Sequence, residues 1–99
     1  MKAAEMRKKS KANSYKAAIS MQDQFINQAD TQIEGRASQG YFDAQIQVVS
    51  NPIWKDYNLT ETVIKHYTDL GFQVEVKPYV LSLKFIISWA EGDGTYAAD

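Results

Sequence analysis

The single histidine, His66, is the one side chain of this sequence with the chemistry of a general base near neutral pH, and catalysis would require a nucleophile or a metal ion beside it. Asp69 and Thr62 fall within one helical turn of it and Tyr67 is adjacent, but neighbours on one helix surface do not make a triad. Metal chemistry lacks a second imidazole and any thiolate, since there are no cysteines, and Asp93 and Asp99 do not follow calcium-loop spacing. Gly92-Asp93-Gly94 has neither the following helix nor the Lys-Ser/Thr of a phosphate-binding loop, and Glu75 and Glu91 are not placed as a catalytic carboxylate pair. The residues thus point away from an enzyme and imply no cofactor.

Two groups of residues suit binding better than catalysis. Arg7, Lys8, Lys9 and Lys11 form a local cationic patch able to contact an anionic partner, nucleic acid or an acidic protein surface. Trp54, Tyr57 and Tyr79 are candidates for an aromatic pocket that takes a planar ligand, although Tyr and Trp also serve cores and subunit interfaces. The net charge of −1 conceals a polarity along the chain. Residues 1–16 carry six cations against Glu5, a balance of +5, whereas residues 17–99 carry five cations against eleven acids. A basic arm on an acidic body is the result.

The elements that hold these groups follow from periodicity. Residues 1–13 favour helix by composition but show no wide apolar face, so a basic helical or mobile arm is expected there. Asn13 or Ser14 then caps a helix of about 24 residues, some 36 Å long, whose stripe runs through Tyr15, Ala18, Ile19, Gln22, Phe25, Ile26, Ala29, Ile33 and Ala37. Gly35 within it suggests a close helix crossing or a weak point, and Gly40 ends it. Phe42, Ala44, Ile46 and Val48 alternate as a strand that Pro52 terminates. A loop over 53–57 follows, its Trp54 and Tyr57 closing one edge of the core. Asn58 with Glu61 reads as a capping box for a second helix bearing Val63, Ile64, Tyr67 and Leu70, stopped at Gly71. Phe72, Val74 and Val76 form a second strand and Leu81 to Trp89 a third, with Ile86 indicating cover on both faces; a flexible tail occupies 91–99.

These elements predict one α+β domain over residues 14–90: a long N-terminal helix, then β-α-β-β with a three-stranded mixed sheet packed on one face by helices. Order 1-3-2 is favoured because the longest and most apolar strand belongs in the middle, with 1-2-3 the alternative. No segment is apolar enough to span a bilayer or to serve as a secretory signal, so neither membrane insertion nor secretion is expected, and Asn58-Leu59-Thr60 reads as helix-start chemistry rather than a glycosylation acceptor.

The order of motifs resembles a module of small proteins from tailed bacteriophages. Ile33, Ala37 and Gly40-Tyr41 match its helix closed by Gly and an aromatic, Leu70-Gly71-Phe72 with Val74 its Leu-Gly-aromatic helix end, and Ile87-Ser88-Trp89 its closing Ile-x-Trp strand. The likeness covers residues 25 to 89, with Leu83-Lys84-Phe85-Ile86 in place of the aromatic-Thr/Ser run that usually precedes the final motif. It implies a virion-associated or unassigned phage role, in the virion or the host cytoplasm, and identifies no functional residue. Because the helix stripe outruns what three strands can cover, the expectation is a self-assembling protein whose subunit contact uses Tyr15, Ile19, Met21, Gln22, Phe25 and Ile26, with another virion or host protein as a further possible partner. The competing expectations are a host-takeover or anti-defence protein that grips a host macromolecule or sequesters a nucleotide, and a nucleic-acid binder acting through the basic arm.

Overall fold

The most apolar strand sits in the middle of the sheet. The computed structural model describes residues 2–90 as α1 (Ala3–Ser38), β1 (Asp43–Val49), α2 (Pro52–Asp56), α3 (Leu59–Asp69), β2 (Gln73–Pro78) and β3 (Ser82–Ser88), with strand order β1-β3-β2. Phe85 of β3 is registered between Ile46 of β1 and Val76 of β2, and Ile87 between Ala44 and Val74. Both ladders are antiparallel, so β1 and β2 run the same way without touching, and the sheet holds no parallel pair in place of the mixed sheet expected. The flexible tail expected over 91–99 lies outside the described residues.

Alternation sorts the strands into two faces. Ala44, Ile46, Phe85 and Ile87 are buried on the side of the helices, joined there by Trp54 of α2, by Leu59, Val63 and Tyr67 of α3, and by Ala18, Phe25 and Ala29 of α1. The other face carries Gln45, Gln47, Glu75, Lys77 and Lys84, with half-buried Ile86 among them. Phe25 lies edge-on to Phe85 with ring centroids 4.7 Å apart and 5.5 Å from Trp54, which fastens α1 to the rest of the core.

Both long helices end in the same way. At α1 the Tyr41 amide donates to the Arg36 carbonyl and the Gly40 amide to that of Ala37, with Gly40 at φ 90°; at α3 Phe72 donates to Tyr67 and Gly71 to Thr68, with Gly71 at φ 96°. These are paired Schellman bonds, and a residue without a Cβ takes the required left-handed conformation at least cost.

Four local expectations are corrected. α1 is continuous from Ala3, so Asn13 and Ser14 are interior residues and cap nothing. A Cβ built on Gly35 meets nothing within 4 Å, so the glycine marks no helix crossing. The loop expected over 53–57 is largely the short helix α2, started by Pro52 and by the Asn51 Oδ1, which accepts from the Ile53 amide at 2.8 Å. Asn58 makes no side-chain cap; it takes a left-handed conformation, φ 53°, at the joint between α2 and α3.

Candidate functional site

The unusual surface is the first third of α1. At 1.5 Å per residue the 36-residue helix is about 54 Å long, and the molecule measures 65 × 24 × 20 Å, so one helix sets its long dimension. Every residue from Lys2 to Asn13 is exposed, and the first core residue of the helix is Ala18. Lys2, at the start, makes no side-chain cap, and among the described residues no cation of the arm takes part in an ion pair. Cations near the positive end of the helix dipole work against it, and short helices without a packed face are marginal in water. The arm thus has the composition of a helix and none of the packing that usually holds one.

The arm meets the body along α2, whose C-cap residue is Tyr57. The Ser14 hydroxyl shares a hydrogen bond with the Tyr57 hydroxyl at 3.0 Å, and the Tyr15 and Tyr57 rings stand 6.1 Å apart. Beneath the arm, Met6, Ser10, Asn13, Ser14 and Ala17 form a shallow groove with Ile53, and Lys9 stands at its edge. At this end of the sheet the β2–β3 turn exposes Tyr79, Val80 and Leu81, with Val49 beside them through the bond from the Ser50 amide to the Leu81 carbonyl. Leu81, expected within the third strand, is instead part of this apolar tip.

The residues expected at a subunit contact divide. Tyr15 and Ile19 are 56% and 44% exposed. Gln22 and Ile26 are half-buried. Met21 packs against the core of its own chain, and Phe25, 4% exposed, lies inside that core and has no surface to offer a partner. Its place follows from the aromatic cluster with Trp54 and Phe85, which satisfies it within the chain.

Arg7, Lys8, Lys9 and Lys11 all lie on the exposed arm, spread around the helix rather than along one side. The expected aromatic pocket is only partly assembled. Trp54 and Tyr79 border one cleft of about 330 Å³ with Asn51, Lys55 and Thr60, whereas Tyr57 is turned to Ser14 and Tyr15. The Trp54 indole is buried and donates from Nε1 to the Thr60 Oγ1 at 2.8 Å, so it is committed to the core.

His66 is half-buried with its ring edge-on to that of Tyr67, centroids 4.7 Å apart. Asp69, a turn away, accepts from Lys65 Nζ, and the Thr62 hydroxyl donates to the Asn58 carbonyl. The Tyr67 hydroxyl donates to the Asp30 Oδ1 at 2.8 Å and to the Ile26 carbonyl at 3.3 Å, tying α3 to α1. Burial first, then the bond to Asp30 and its negative charge, pushes the Tyr67 phenol well above its ordinary value.

Among the described residues no group of three or more His, Cys, Asp or Glu is placed to hold a metal ion, and no helix is long and apolar enough to cross a membrane. What sequence reading missed is Ile53 beneath the arm and the tip at Val80; the Asn51-Pro52 helix start and the apolar run after Pro78 were the available signals. Comparison with known protein families, with curated proteins and with solved structures returns no match.

Proposed function

We propose that this chain is a non-enzymatic assembly protein that joins copies of itself, in a virion-associated or assembly role in a tailed phage. The observation that carries the reading is the arm: residues 3–13 are helical and exposed throughout, and Tyr15 and Ile19 extend the uncovered surface toward the body. A helix of that kind gains stability when a second surface covers it. The phage setting is inferred from the order of Gly40-Tyr41, Leu70-Gly71-Phe72 and Ile87-Ser88-Trp89, all of which have structural duties at helix ends and in the sheet. Sedimentation velocity at micromolar concentration in physiological salt is expected to give a dimer or larger species. A monomer throughout that range refutes the reading.

One specific observation favours a second function. The six cations of residues 2–16 are free of ion pairs among the described residues, and such an arm neutralises nucleic-acid phosphates with steep salt dependence. Replacing Arg7, Lys8 and Lys11 by Ala separates the two: loss of DNA retention with an unchanged oligomer supports nucleic-acid binding, and no change in retention removes it.

A further inference from the structure

Lys2, Lys9, Lys16, Asp23 and Asp30 recur along α1 at intervals of seven residues, and all five are exposed. Seven residues fall about 20° short of two full turns, so the row winds slowly around the helix. At 3.6 residues per turn Lys2 to Asp23 run on the side away from Ala18, Phe25 and Ala29, which enter the core, while Asp30 stands at the flank where its Oδ1 accepts from Tyr67; exposed Ala12 and Ile19 border the row. The sign of charge changes once, between Lys16 and Asp23.

That single change discriminates between ways of covering the arm. Two such helices side by side and parallel set like charge against like. Antiparallel, with a two-fold axis crossing at residues 19–20, they set Lys16 against Asp23 and Lys9 against Asp30, each pairing made twice by symmetry, and bring the two Ile19 side chains together at the crossing. The overlap then runs nearly the whole helix, about 50 Å. Among the described residues none of Lys9, Lys16 and Asp23 has an ion-pair partner, and the Tyr67 hydroxyl engages only Oδ1 of Asp30.

We propose that the bare side of α1 is covered by a second copy of this chain, docked antiparallel so that the basic arm of each lies along the acidic half of the other's helix. This rests on the self-assembly reading and specifies its geometry. The body supplies the fixed half of the contact, and the arm, which lacks packing of its own, supplies the half that gains from association.

Charge reversal tests it. A Lys9→Glu/Lys16→Glu variant and an Asp23→Lys/Asp30→Lys variant each turn all four pairings of the dimer from attraction to repulsion. Each alone is expected to dimerise at least about tenfold more weakly than the wild type in low salt. Mixed in equal amounts, they restore opposite charges at every pairing and are expected to form a heterodimer of wild-type affinity, read by sedimentation and native mass spectrometry. Circular dichroism checks that each variant is folded, and Asp23→Lys alone spares the Asp30 bond to Tyr67 should the double variant unfold. Undiminished association of both variants, or a mixture that stays monomeric, overturns the antiparallel pairing while leaving self-assembly intact. A monomeric wild type overturns both, and a monomeric wild type that loses DNA binding on Lys9→Glu/Lys16→Glu assigns the arm to nucleic acid instead.

Discussion

Replacing Phe25 by Ala separates a core residue from an interface residue. The ring is 4% exposed and sits 4.7 Å from Phe85 and 5.5 Å from Trp54, so truncation removes a buried side chain from the place where α1 meets both the sheet and α2. Phe-to-Ala changes at such sites cost about 3–5 kcal/mol, the upper part of the range applying where neighbours cannot collapse into the space. Two aromatic partners on different elements make collapse difficult here, and a cost of about 4 kcal/mol is expected. A domain of this size is commonly stable by only about 5–15 kcal/mol, and each kcal/mol shifts its midpoint temperature by about 4–8 °C, so the loss is visible as a drop of roughly 15–30 °C. Urea unfolding followed by tryptophan fluorescence, at two protein concentrations tenfold apart, measures it. A loss below about 1 kcal/mol, or one that disappears at the higher concentration, refutes the placement and returns Phe25 to a contact between copies.

Two more expectations follow from the fold. Tyr67→Phe removes the hydrogen bonds to Asp30 and the Ile26 carbonyl and is expected to cost about 1 kcal/mol near neutral pH. Because the folded phenol titrates above the unfolded one, its contribution is complete below roughly pH 10 and is lost as pH rises beyond it, so the wild type weakens in alkali and Tyr67→Phe weakens less, as thermal melts across that window will report. Gly35→Ala, at an exposed helical position with open space, is expected to raise stability by about 0.5–1 kcal/mol, whereas Gly40→Ala, at φ 90°, lowers it by about 1 kcal/mol or more; denaturant midpoints of opposite sign check the pair.

The strands, α3 and the order β1-β3-β2 were legible because each element buries one face, and burial writes its period into the sequence. Phe85 and Ile87 alternate with Lys84 and Ile86 because one row meets helices and the other stands opposite them. The same logic explains the failure at the amino end. Periodicity reports packing, and residues 3–13 are exposed throughout, so they carry helix composition without a helix stripe and the pattern alone places a helix start only at residues 13–14. Asn58 misled for a related reason: a residue good at capping is also one that tolerates a left-handed turn, and the choice was made by the tight joint between α2 and α3. The candidate contact was half legible. Tyr15 and Ile19 are uncovered as anticipated, but a stripe cannot say which of its members a neighbouring helix will claim, and Trp54 of α2 claimed Phe25.

Arg36 anchors the last turn of α1 to the first strand. Its Nε donates to the Asp43 carbonyl, its Nη2 pairs with Oδ1 of the same residue at 3.1 Å, and its guanidinium lies 3.8 Å from the centre of the Tyr41 ring, across a reversal already fixed by Gly40. Three contacts of one side chain thus brace the joint. Whatever orients the packed part of α1 therefore also orients β1 and the sheet edge that begins at Asp43.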